Sequence, residues 1–171
     1  IGQSDFRVSV NLFGAQFNGG DLPTRVEQAL IKNGLPAEAL ELEITESVPI
    51  KYFTQCHSVL AEIRQKGVSL AIDDLGAGFS NLKYIADLQP EIVKLDRELI
   101  LGCAPGNRPF RLLCSIVSLC KEMKAKTVAE GIETPAEFEA AVEAGVDYAQ
   151  GYLLDRPACP APDLIWPGTS R

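Results

Sequence analysis

Residues 68–80 read VSLAIDDLGAGFS. The first half alternates: Leu70 and Ile72 fall on one face of an extended chain, Ala71 and Asp73 on the other, as a strand requires. The run then meets two adjacent carboxylates, Asp73 and Asp74, and a loop carrying Gly76 and Gly78. Two like charges at a strand end raise each other's pKa and cost stability unless positive charge sits with them. A solvated acidic turn is the plainer reading of such a pair. What ends the other strands chooses between the two.

Further short strand patterns occupy residues 7–13, 40–45, 91–96, 126–130 and 146–150. Helical patterns fill the gaps. Residues 22–33 have Pro23 in the first turn and Gly34 just past the end. Residues 51–66 put Tyr52, Cys56, Val59, Leu60 and Ile63 on one stripe and stop at Gly67. Residues 80–88 form a shorter helix capped by Ser80, and residues 109–124 are apolar almost all round, the mark of a well-buried helix. Thr134-Pro135-Ala136-Glu137 is a capping box opening a helix that ends near Gly145. Strands alternating with helices at this spacing give βαβ units and a parallel sheet, an α/β fold. Neither G-x-G-x-x-G nor a Walker loop follows the first strand, where NLFGAQFNGG stands. That favours a (β/α) barrel over an open dinucleotide-binding sheet. The Pro-rich stretch 158–171 reads as a tail beyond a domain of residues 1–157.

The other strands end as 68–74 does. Leu42 and Ile44 oppose Glu41, Glu43 and Thr45; Val8 and Val10 oppose Ser9 and Asn11; Val93 and Leu95 oppose Lys94 and Asp96. Glu130 closes the fifth strand and Gln150 the sixth. Six polar strand ends in succession predict convergence at the C-terminal rim, where barrels build their sites. The converging set is Asn11, Glu43, Asp73, Asp74, Lys94, Asp96, Glu130 and Gln150, with Glu46 and Glu133 nearby. Carboxylates and amides without histidine or cysteine form a hard oxygen shell suited to Mg²⁺ or Mn²⁺. The adjacent aspartates suggest two ions, the arrangement used for attack of water on a phosphodiester, with Lys94 steadying hydroxide or the developing charge.

Composition narrows the field further. A net charge of −7 argues against a grip on DNA or RNA backbone. The only histidine, His57, lies in a helical pattern, which argues against histidine-based chemistry. Cys56, Cys103, Cys114, Cys120 and Cys159 lack C-x-x-C spacing and read as reduced thiols of a cytosolic protein. No signal-peptide pattern opens the chain.

NLF, ELEITES, AIDDLGAGFSNL, VKLDR, TVAEGIET and YAQGY, in this order, resemble the successive motifs of the EAL-domain family of cyclic-di-GMP phosphodiesterases. The resemblance covers about Val8 to Pro157 and implies a TIM-type barrel that linearises cyclic di-GMP to pGpG with Mg²⁺ or Mn²⁺. It implies Asn11, Glu43 and Asp73 as ligands of one metal. Asp73 would bridge to a second, held also by Asp74 and Glu130. Lys94 would contact the attacking water, with Asp96 and Gln150 as neighbours of that site; Glu133 either joins them on the substrate side or belongs only to the turn before Thr134. Glu46 resembles the glutamate that braces the loop carrying Gly76 and Gly78, a loop associated in the family with dimer contacts, so a homodimer is expected. Two departures stand out: Leu75 replaces the usual aromatic of DDFG, and the Glu-Ala-Leu motif is absent. About six of eight barrel strands are therefore expected here, without one metal-binding glutamate and a phosphate-binding arginine. The expected parent is cytoplasmic or membrane-anchored through other regions, with an upstream sensor or GGDEF-type domain. A catalytically silent cyclic-di-GMP sensor or protein-interaction scaffold is the second reading. A Mg²⁺-dependent enolase-type barrel ranks last, since it does not predict paired aspartates.

Clustered acids should make the fold respond to metal. Millimolar Mn²⁺ or Mg²⁺ is expected to raise the melting temperature, by binding the native state. Asp73→Ala should raise the metal-free melting temperature and abolish the metal response. Absence of any shift in thermal melts counts against a preformed site.

Overall fold

The computed structural model describes residues 7–19, 21–45, 53–77 and 83–157, with the side chains of residues 18, 19, 53–55, 83 and 84 left aside. The Pro-rich tail, Ser80 and Cys159 lie outside the described residues. Six strands form one sheet in the order β1 to β6: Val8–Leu12, Leu40–Thr45, Ser69–Leu75, Ile92–Leu95, Lys126–Ala129 and Tyr148–Ala149. The pairings β1–β2, β2–β3 and β5–β6 are parallel. Helices α1 Leu22–Asn33, α2 Phe53–Gln65, α3 Lys83–Leu88, α4 Arg97–Ile100, α5 Arg108–Glu122 and α6 Pro135–Ala144 fall between the strands. The alternation expected of an α/β fold of this type is therefore present. By contact density the chain divides into two compact units, Ile1–Asp73 with Asn81–Ile92, and Asp74–Ser80 with Val93–Arg171.

In the first unit, α1 buries Leu22, Val26 and Leu30 and ends where Gly34 takes a left-handed φ of 62°. A glycine is favoured there because a Cβ would oppose that backbone. Cys56, Leu60 and Ile63 form the buried stripe of α2, spaced as one helical face requires. The entry to β3 is pinned by one side chain. Glu91 accepts from Arg64 Nε at 2.9 Å and from the Leu70 amide at 2.9 Å. Val10, expected on the covered face of β1, is instead 43% exposed. Both faces of β2 are covered: Glu41 and Glu43 are as buried as Ile44. A hydrogen bond from Ser9 Oγ to Glu41 Oε1 at 3.1 Å helps to offset that burial.

The second unit packs α5 with a single stripe, Phe110, Leu113, Val117 and Cys120, while Leu112 on the other side is 54% exposed. The expectation of a helix buried all round is corrected. Its exposed positions carry arginine, serine and lysine among the apolar residues, so the helix is amphipathic. The capping box on α6 forms as read, with the Thr134 hydroxyl accepting from the Glu137 amide and the Glu137 carboxylate accepting from the Thr134 amide. Three short elements escaped the sequence patterns: α4 and the 3-10 turns Gly14–Gly19 and Ala37–Ala39. Each is too short to show a helical period. Cys56, Cys103 and Cys120 are buried free thiols, and burial pushes Cys120 up to about 11, so these sulfurs are unreactive. Among the described residues no helix is long and apolar enough to cross a membrane.

Asp147, just before β6, fastens that strand to β5. It accepts from Lys126 Nζ at 2.6 Å, the Thr127 amide at 2.9 Å and the Thr127 hydroxyl at 3.1 Å. Partial burial disfavours its charge, but these donors prevail and hold its carboxyl below the ordinary range. A carboxylate depressed on folding contributes stability at neutral pH that is lost as pH falls below about 4. Asp147→Asn is expected to cost about 1–3 kcal/mol at pH 7 in urea unfolding. The variant should also lose less stability than the parent between pH 5 and 3; parallel pH profiles would refute the assignment.

Candidate functional site

Within the first unit, strand register sets the donors. Asn11 pairs with Glu43 across β1 and β2, and Glu43 pairs with Ala71 across β2 and β3. Register neighbours share a face in a parallel sheet, and Asp73 lies two residues on from Ala71. Asp73 itself pairs with Thr45, two residues on from Glu43. Glu43 and Asp73 are buried, whereas Asn11 is exposed.

Asp74 departs from strand geometry. Its φ is +57°, the left-handed region, which aspartate tolerates better than most residues. Strict alternation would send Asp73 and Asp74 to opposite faces. The left-handed backbone at Asp74 breaks that alternation. A tight turn follows: the Ala77 amide donates to the Asp74 carbonyl at 3.1 Å, with Gly76 at φ +108°. A Cβ on Gly76 would collide with the Leu99 side chain, so this glycine is required twice over. Leu75, which replaces the usual aromatic of DDFG, is fully buried.

In the second unit, three residues at strand ends are pinned by backbone hydrogen bonds to the preceding strand. The Asp96 amide donates to Leu75 O at 3.0 Å, the Glu130 amide to Leu95 O at 3.0 Å and the Gln150 amide to Ala129 O at 2.8 Å. Lys94 Nζ lies 2.8 Å from Glu130 Oε1, both side chains largely buried. Glu130 also offers an oxygen within 4.8 Å of one from Asp74. Two carboxylates that close, with a lysine on one of them, form an oxygen donor set matched to a hard divalent cation. The residues present fit such an ion.

The remaining expected residues divide. Asp96 caps α4, its Oδ1 accepting from the Glu98 amide at 2.8 Å. Glu133 forms an ion pair with Arg97 at 2.6 Å, and Gln150 is exposed. Glu46 and Gly78 lie outside the described residues. His57 is exposed on α2. Two features were missed. A Cβ on Gly151 would overlap the Ile132 backbone, so the glycine after Gln150 seats that segment against the loop after β5. Arg156 stacks over the Tyr152 ring at 4.3 Å. The glycine at the end of β6 was a readable signal for close backbone approach.

The EAL-domain family model matches residues 2–157. The chain belongs to the EAL-domain family. Cyclic di-GMP phosphodiesterase NbdA of Pseudomonas aeruginosa is 35% identical over 156 residues, 91% of this chain and 20% of that protein. The bifunctional diguanylate cyclase/cyclic di-GMP phosphodiesterase MucR of the same organism is 35% identical over 96% of this chain and 24% of its own length. This EAL chain thus spans about a fifth to a quarter of these curated relatives. A solved PaMucR phosphodiesterase in complex with c-di-GMP superposes with a TM-score of 0.80 at 34% identity, over 90% of this chain and 68% of that one. Klebsiella pneumoniae BlrP1, solved with manganese and cyclic di-GMP, gives a TM-score of 0.81 at 32% identity, over 88% and 39%. The EAL-family neighbours place the six-stranded fold among TIM-type barrels.

Asp74→Gly and Asp74→Ala both delete the carboxylate, but only alanine's Cβ opposes a φ of +57°. Asp74→Gly is expected to be the more stable by about 0.5–1 kcal/mol in urea unfolding. Equal stabilities would mean that the left-handed backbone carries no strain.

Proposed function

We propose that the protein carrying this chain hydrolyses cyclic di-GMP to the linear dinucleotide pGpG, with Mg²⁺ or Mn²⁺ as cofactor. The observation that carries the reading is the convergence of Asp74, Glu130 and Lys94 at strand ends. The named activities and ligands of the relatives support it.

Asn11, Glu43 and Asp73 in the first unit, and Asp74 and Glu130 in the second, are the residues that would supply oxygen donors to divalent ions. A bound divalent ion supplies a nucleophile at neutral pH and offsets charge on the phosphoryl oxygens. Lys94 orients the attacking water and meets charge as it develops, a task that peaks in the transition state. Its partner Glu130 holds the ammonium in place. Asp96, by capping α4, holds the backbone that follows Lys94 and aids chemistry without touching the phosphate. Gln150 and Glu133 serve the substrate side.

Lys94→Ala in the full-length protein is expected to lower kcat by about 10²–10³, with far less change in KM. Assay of linear product over a range of substrate concentration measures both. A rise in KM with kcat intact would make Lys94 a binding residue. Cyclic di-GMP bound tightly without turnover, in the presence of Mn²⁺, would favour the sensor reading.

A further inference from the structure

The loop after β5 is held by more than the strand that feeds it. Arg97, the first residue of α4, places Nη2 2.6 Å from Glu133 Oε2. Its aliphatic stem covers Gly131, where φ is +67° and an added Cβ would lie 2.8 Å from both Arg97 Cβ and Cγ. One side chain thus grips the residue directly after Glu130 and the residue three after it. On the near side, the Glu130 amide is tied to Leu95 O. On the far side, buried Glu137 accepts from the Glu133 amide at 3.1 Å and the Thr134 amide at 3.0 Å. Arg97 and Glu133 are themselves half exposed. Such a pair adds little to stability, so its consequence lies in geometry.

We propose that Arg97 is a positioning residue: by clamping Gly131 and Glu133 it sets the Glu130 carboxylate against Lys94 and Asp74. The inference rests on the divalent-ion role proposed for Glu130. Residues that orient metal ligands typically change affinity by about 10–100-fold when lost. Arginine suits the task because its stem packs while its planar fork fixes the carboxylate it holds.

Calorimetric titration of Mn²⁺ into the full-length protein, without substrate, tests this. Arg97→Ala and Glu133→Gln are each expected to weaken binding about tenfold. The double variant should bind no worse than Arg97→Ala alone, because Glu133 acts only through its contact with Arg97. Should Arg97→Ala fail to fold, Glu133→Gln, which preserves volume, carries the test. Unchanged Mn²⁺ affinity in the folded variants, or losses that add in the double variant, would overturn the proposal. Failure of the unsubstituted protein to bind Mn²⁺ would instead overturn the site reading, and this inference with it.

Discussion

A left-handed backbone at Asp74, φ +57°, is the constraint on which the acidic strand end depends. An extended strand separates neighbouring side chains onto opposite faces, and the left-handed residue breaks that alternation at the end of β3. The break costs backbone energy, and the surrounding structure holds it. The Asp74 carbonyl closes a turn onto Ala77, Gly76 supplies the positive φ that the turn demands, and Leu99 of α4 packs against that glycine. Leu75, between the two, is fully buried and anchors the end of the strand. Strain of this kind persists where neighbours over-determine it, and it gathers at functional sites.

The acids of this chain divide by the company they keep. Glu91, Asp147 and Glu137 each accept backbone amides from the start of a strand or helix, which fixes the ends of elements. Burial disfavours the Glu137 charge, yet amide and hydroxyl donors hold its carboxyl below the ordinary range. Asp96 is of the same kind, spending one oxygen on the first turn of α4. Glu130 differs, for it faces a lysine ammonium and a second carboxylate rather than the start of an element. A carboxylate that caps a helix is committed to the fold. One that faces another acid and a cation is free energy held ready for a ligand, because a divalent ion resolves repulsion that backbone amides do not.

Position along the strand explains why these residues can act together within the second unit. The amides of Asp96, Glu130 and Gln150 each continue the ladder one step past the preceding strand. The backbone at these points is as well fixed as in the strands, although the side chains belong to loops. A site built this way gains the precision of a sheet and the reach of a loop.

The strands and the longer helices were legible because their signals are local. The strand at LELEIT, the glycine after α1 and the capping box on α6 each depend on a few neighbouring residues, and each appears in the structure where the sequence put it. The acidic strand ends were legible for the same reason. Their chemical type was set by composition: oxygen donors, one lysine and no usable histidine. The left-handed turn at Asp74 and the grip of Arg97 on the loop after β5 were not legible. Each depends on what a distant segment places alongside: Leu99 beside Gly76, or the Arg97 stem over Gly131. The sequence by itself determined which residues form strands, which stop a helix and which oxygen donors stand at strand ends. Only the tertiary structure decided which acids serve the fold and which face one another, because that depends on which backbone amides and cations lie within hydrogen-bond reach, and no spacing along the chain records it.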